Sequence, residues 1–232
     1  MKIEVWSDFM CPFCYIGETK LQKAIANLGL QDKIQVEYKS FELDPTAKPW
    51  DGQSMYELLA GKYGMTVEQA RQNSVQIANV GREIGLSFNM DDVKNTNSLK
   101  AHRLAKLGKA EGKEQEITCA LFKAHFEEGK LLSDDDVLLS IAKELGLDEA
   151  KAKEVLTNEN LYLNEVREDQ SLARAYHVNA VPYFVLNGKY AVNGAQSIEV
   201  FEGAIKQAMG EMEEQPLTCE TDGTCSDGAC SI

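Results

Sequence analysis

Cys11 and Cys14, separated by Pro12-Phe13, stand where a strand-like segment gives way to a helical one. Residues 2–7 (Lys-Ile-Glu-Val-Trp-Ser) read as a short strand and Asp8 to Cys14 as a turn. The run to about Asn27 reads as a helix, with Ile16, Leu21, Ala24, Ile25 and Leu28 near helical spacing. A C-x-x-C pair at the first turn of a helix has a defined chemistry. Unsatisfied backbone N–H groups and the helix dipole stabilise a thiolate on the first cysteine. The second lies one turn further in, where it can displace a mixed disulfide held by the first. Pro12 fits the first turn, where its missing N–H does no harm. Cys11 is therefore expected to be the nucleophile, exposed and easily deprotonated, and Cys14 the buried resolving thiol. The competing readings are two inert buried cysteines or half of a zinc site. A four-thiolate zinc site wants a second close pair; Cys119 is alone and the later cysteines are spaced more widely, so no metal is expected.

The rest of the chain sets this pair in a larger frame. Residues 34–41 alternate as a second strand. From about 52 to 160 no segment reads as a strand, and helices are expected at 54–63, 66–84, 98–111, 114–128 and 133–156, the last broken at Gly146. Thr66 with Glu68-Gln69, Asn97-Ser98 and Ser133-Asp134 read as N-caps, and Gly85, Gly108, Gly112 and Gly129 as stops. A helix from about Leu161 to Tyr176 follows, and then Val178 to Pro182. Strands Tyr183–Leu186 and Lys189–Val192 are joined by Asn187-Gly188, a strong hairpin signal. A last amphipathic helix spans 197–209. The order β-α-β, helical insert, α-β-β-α defines an α/β chain. Residues 1–48 and 161–210 form a discontinuous domain, 49–160 a helical insertion domain and 211–232 a Cys-containing tail. The tail, rich in Gly, Ser and Asp, is expected to be flexible because it cannot bury a core.

Composition narrows the partners. A net charge of −13 argues against nucleic acid and anionic membrane surfaces, which call for clustered Lys and Arg. No apolar run approaches the roughly 20 residues of a membrane span, and the N-terminus lacks the zones of a signal peptide. The expectation is a cytoplasmic protein. Six cysteines in 232 residues fall well short of a disulfide scaffold, so in a reducing compartment the tight pair points to redox chemistry.

The run Ser7-Asp8-Phe9-Met10-Cys11-Pro12-Phe13-Cys14-Tyr15-Ile16-Gly17, together with Val181-Pro182, resembles the DsbA-like thioredoxin family, most closely its cytoplasmic FrnE-like branch. Asn97-Ser98, Ala101-His102-Arg103-Leu104 and Gly194-Ala195-Gln196 extend the likeness, which covers residues 1 to about 210. The resemblance implies a thioredoxin-like fold interrupted by an all-helical domain and a protein disulfide oxidoreductase with no tightly bound cofactor. Its redox centre would be the Cys11-Cys14 disulfide, its partners protein or small-molecule thiols and disulfides, with glutathione a candidate co-substrate. It also implies a cis Val181–Pro182 bond facing the dithiol. Pro182 would shield the sulfurs from metal, and Val181, Pro12 and Phe13 would contact substrate. Three departures stand out. The branch usually has Trp where Phe13 stands, and glycines where His177 and Ala180 stand. Many relatives bury an acid six residues before the first cysteine, and here that position is Val5; Glu4 and Asp8 are the candidates to replace it.

Two other readings share the frame. Kappa-class glutathione transferases and hydroxychromene-carboxylate isomerases resemble this interrupted fold, but generally carry Ser at the position of Cys11 and lack the resolving cysteine. A thiol-rich redox or metal buffer would centre on the tail, where Cys219, Cys225 and Cys230 are candidate auxiliary redox residues. About twenty residues of flexible chain average ~25 Å, enough to approach Cys11. His102, in a helical stretch shared with the family, is a candidate for reaching the active-site cleft and touching substrate, against a plainer reading as a hydrogen-bonded structural histidine. Cys119, mid-helix, reads as a small buried hydrophobe.

Overall fold

The computed structural model describes residues 1–213, so Cys219, Cys225 and Cys230 lie outside the described residues. In chain order the elements are β1 (Lys2–Ser7), α1 (Pro12–Asn27), β2 (Gln35–Ser40), α2 (Met55–Tyr63), α3 (Val67–Glu83), α4 (Leu99–Ala110) and α5 (Glu114–Phe126). There follow α6 (Asp135–Glu144), α7 (Glu149–Thr157), α8 (Leu163–Ala175), β3 (Tyr183–Leu186), β4 (Tyr190–Asn193) and α9 (Ile198–Glu213). The sheet runs β2-β1-β3-β4, with β1 parallel to β2 and antiparallel to β3. This is the expected α/β order of a thioredoxin-like fold, with six helices between β2 and α8.

Alternation along β1 decides what covers each face of the sheet. Ile3 and Val5 bury against Leu21 and Ile25 of α1 and Phe201 and Ile205 of α9. Trp6 points the other way, onto Ala173 of α8 and Val178, and its indole N–H donates to the Asp169 carbonyl at 3.0 Å. The β3–β4 turn places Asn187 and Gly188 both at positive φ, 49° and 68°, which is the backbone of a type I′ hairpin.

The helical block is built on the active-site end of α1. Phe9, Cys14, Tyr15 and Ile16 share one apolar cluster with Leu104, Leu121, Phe122 and Phe126, and Tyr15 stacks on Phe122 with the rings 8° from parallel. A buried ion pair between Lys106 and Asp169, with the Ser40 N–H donating to Asp169 Oδ2 at 2.8 Å, ties α4 to α8 and β2. Capping follows the sequence at Thr66, which forms a reciprocal box with Gln69, and at Asp134, which accepts from the N–H groups of Asp136 and Val137. The expected stop at Gly108 does not occur. That residue lies inside α4, where a Cβ would come within 2.4 Å of Ile117, so it serves the close approach of α5. The expected 133–156 helix divides into α6 and α7, with Gly146 in the break at φ 65°.

Candidate active site

Cys11 is the N-cap of α1 and Pro12 its first helical residue. The Cys11 carbonyl accepts from the Cys14 N–H at 3.0 Å, which closes the first turn and brings the sulfurs together. Cys11 is held below the ordinary thiol range, chiefly by the hydrogen bond its sulfur receives from the Cys14 thiol and then by the N–H groups of Cys14 and Phe13. Burial and the Asp8 charge oppose this. Cys14 is pushed well above the ordinary range by burial first and by the neighbouring Cys11 thiolate second. One sulfur is thus prepared to attack and the other to hold its proton. The exposure expected of Cys11 is small. It is 6% accessible against 1% for Cys14, because its Sγ faces the Val181 carbonyl oxygen at 3.7 Å.

The Val181–Pro182 bond is cis, and the loop lies directly over the dithiol. Phe13 is exposed, and with Pro12 it forms one wall of an apolar cleft of about 370 Å³ whose other walls include Met55, Leu59, Met65 and Ile77 of the helical block. Val5, at the strand position where relatives carry an acid, is buried among apolar side chains.

Behind the sulfurs lies a polar layer. Asp8 is 1% exposed; its Oδ1 accepts from the Met10 N–H at 3.2 Å and its Oδ2 from the Leu43 N–H at 2.7 Å. His102 Nε2 stands 3.5 Å from Asp8 Oδ1. Burial, the largest influence, pushes the Asp8 carboxyl up, but His102, the Leu43 N–H and the Ser98 hydroxyl outweigh it and leave it below the usual carboxylate range. His125 is fully buried on α5, and burial pushes it down to about 4 against the opposing pull of the Lys130 backbone. Glu18, one turn beyond Cys14, accepts hydrogen bonds from Tyr38 Oη and, at 2.9 Å, from Gln22; burial pushes it up to about 7.

Several expectations change against this geometry. His102 does not reach the cleft: at 2% exposure it is enclosed by Phe9 and Asp8 and cannot touch substrate. Ser98 makes no side-chain cap for α4, its hydroxyl being turned to Asp8; the Leu99 N–H is taken instead by Asn97 Oδ1 at 2.9 Å. Cys119 is half-buried, and burial pushes its thiol up to about 12, which suits a non-reactive side chain. Glu18 and His125 carried no signal in the sequence, since nothing in their local pattern marks an ionisable side chain as buried. Asp8 was marked by its place in the run that carries the family resemblance and as a candidate to replace the acid absent at Val5.

A cysteine pair at the N-terminus of α1, faced by a cis-proline loop on a four-stranded sheet, is the arrangement of a thioredoxin-like fold. Residues 2–206 match the DSBA-like thioredoxin domain, and the chain belongs to that family. It is 30% identical over 207 residues to the uncharacterised protein YwbO of Bacillus subtilis (strain 168), covering 88% of this chain and 94% of that one. The crystal structure of the probable DsbA oxidoreductase SCO1869 from Streptomyces coelicolor superposes with a TM-score of 0.88 at 34% identity, over 100% of this chain and 99% of that one. A 2-hydroxychromene-2-carboxylate isomerase shares the fold at 18% identity and a TM-score of 0.71, over 92% of this chain and 98% of that one.

Proposed function

We propose that this protein is a thiol–disulfide oxidoreductase of the FrnE-like branch that exchanges disulfides with protein or small-molecule partners through Cys11 and Cys14. The observation that carries the reading is the asymmetry of the pair. Cys11 is lowered by the Cys14 thiol and the first-turn N–H groups, while Cys14 is raised by burial one turn further in. Cys11 attacks the substrate disulfide and Cys14 displaces the resulting mixed disulfide. Val181 and Pro182 border the attacking sulfur, and the cleft beside Pro12 and Phe13 receives an apolar group next to the substrate sulfur. Glutathione serves as co-substrate, and the cytoplasm is the setting in which a dithiol of this kind is kept reduced. Retention of Cys14 behind Cys11 separates this reading from a glutathione transferase or isomerase, which needs no resolving thiol. The test is a pair of variants. Cys11→Ser should abolish disulfide reductase activity, and Cys14→Ser should accumulate mixed disulfides on Cys11. Full activity in Cys11→Ser would end the reading.

A further inference from the structure

The cleft beside the dithiol is one-sided in its chemistry. Pro12 and Phe13, the two residues that follow Cys11, form one wall, so an occupant lies next to the attacking sulfur. Among the described residues no Lys, Arg, Asp or Glu lines it. Its polar groups are few and already engaged. Ser74 Oγ donates to the Ala70 carbonyl at 2.9 Å, and the Asn73 amide to Met65 Sδ at 3.7 Å. Tyr63 is 62% exposed and stands at the rim. Three of the chain's seven methionines, Met55, Met65 and Met90, line the cleft. Their unbranched, polarisable side chains fit apolar groups of varied shape. The volume of about 370 Å³ falls in the range of small-molecule sites, roughly 300–1,000 Å³.

The wall opposite the dithiol helix can adjust. α2 buries one side chain, Tyr56, and α3 buries Ala70, Ser74 and Gly81. A helical hairpin with so little buried surface opens at low cost. It is fastened to the segment after α3 at Asp91, whose Oδ1 accepts from Tyr56 Oη at 2.9 Å. Arg71 lies 3.5 Å from the same oxygen and 4.9 Å from the centre of the Tyr56 ring.

We propose that this cleft selects uncharged disulfides of low molecular weight that carry an aromatic or branched aliphatic group, and that glutathione reaches Cys11 without entering it. The inference rests on the disulfide-exchange reading and narrows its substrate class. Cys11 is only 6% accessible, so a disulfide on a folded protein surface meets it less readily than a small molecule whose apolar group is taken up alongside. Glutathione disulfide brings carboxylates that find no cation in the lining, and an unpaired carboxylate is costly to desolvate. The net charge of −13 adds a general repulsion of anions.

With the apolar group seated, the Cys11 thiolate attacks the adjoining sulfur. A Cys11–substrate S–S bond forms, the substrate S–S bond breaks and the outer thiolate leaves. The Cys14 sulfur then attacks Sγ of Cys11, which forms the Cys11–Cys14 bond and releases the seated thiolate. Two electrons have passed from the dithiol to the substrate. The Cys14 proton and one from solvent end on the two released thiols. Two glutathione thiols return the electrons and leave as glutathione disulfide.

The test mixes reduced full-length protein with bis-phenylethyl, bis-hydroxyethyl or glutathione disulfide and follows the Cys11–Cys14 disulfide by acid quenching and mass mapping. Dividing each rate by that of dithiothreitol with the same compound removes intrinsic reactivity. The phenylethyl compound should then exceed the hydroxyethyl one about tenfold or more, with glutathione disulfide slowest. Met55→Gln and Ile77→Gln, at half-buried wall positions, should each cut the phenylethyl-to-hydroxyethyl ratio severalfold. Phenylethanol, which has no sulfur, should slow the phenylethyl reaction and spare that of glutathione disulfide, and this arm needs no variant. A ratio near one in the parent protein, a ratio unchanged in the folded variants, or phenylethanol that slows none of the reactions or all of them alike would overturn the proposal. Failure of all three compounds to produce a Cys11–Cys14 disulfide would instead overturn the disulfide-exchange reading.

Discussion

Gly17 lies so close beneath Pro182 that a Cβ on it would come within 2.9 Å of the proline Cγ, and within 3.1 Å of Phe184. The proline loop over the dithiol therefore rests on a helix position that must lack a side chain. In an isolated helix Gly→Ala stabilises by about 1 kcal/mol. Here the overpacking costs roughly 1–3 kcal/mol, so Gly17→Ala should lower the melting temperature. Disulfide exchange should slow as well, because the loop is pushed away from Cys11. A more stable variant with unchanged rate would show that the contact is slack.

His177 occupies the left-handed position after α8, with φ 55°. The N–H of Val178 donates to the Ala173 carbonyl at 2.8 Å and that of His177 to the Arg174 carbonyl at 3.1 Å. These are the two hydrogen bonds of a Schellman cap, where glycine is favoured. A left-handed non-glycine residue costs about 1–2 kcal/mol, partly offset by the greater freedom glycine has in the unfolded chain. His177→Gly should raise stability by about 1 kcal/mol, or roughly 2–4 °C in melting temperature. Calorimetry checks this, and an unchanged or lower melting temperature would contradict it.

Glu18 gives a pH prediction with a definite sign. Its folded value near 7 lies above the ordinary 4.5, so between those values the native state keeps a proton that the unfolded chain has released. Stability therefore falls as pH rises from about 4.5 to about 7, by at most roughly 3 kcal/mol. His125, pushed from 6.5 down to about 4, acts in the opposite sense over much of that range, so the two slopes partly cancel in the parent protein. Glu18→Gln removes only the first. Its stability relative to the parent should grow with pH across this window and level off above it, as read by urea denaturation at several pH values. A difference independent of pH would contradict the shift.

The order of elements was legible because each part rested on local chemistry. Alternation marked the strands, Asn187-Gly188 the hairpin, Thr66 and Asp134 the caps, and Cys11-Pro12-Phe13-Cys14 the helix start. The layer behind the dithiol was not legible. Asp8 and His102 are 94 positions apart in the chain, and no periodicity records which buried polar groups meet across two elements. His102 was marked as noteworthy, but its partner and its burial depend on how α4 packs against the turn after β1. Gly108 shows the same limit in apolar form. Its local pattern is that of a helix stop, and only the approach of Ile117 shows why a glycine is retained inside the helix.

The reactivity order of the thiols follows from their surroundings. Brief alkylation of the reduced protein at mildly acidic pH, followed by peptide mapping, should label Cys11 first. Cys14 and Cys119, both raised by burial, should label far more slowly. Preferential labelling of Cys14 would reverse the assignment of roles.

The most direct measurement is equilibration of the full-length protein against glutathione buffers of graded redox ratio, with acid quenching and mass mapping of every cysteine. The account predicts a two-electron transition in which the disulfide that forms joins Cys11 to Cys14, while Cys119 stays reduced throughout. Absence of a Cys11–Cys14 disulfide at every ratio, with both sulfurs remaining thiols or carrying only separate glutathione adducts, would contradict it.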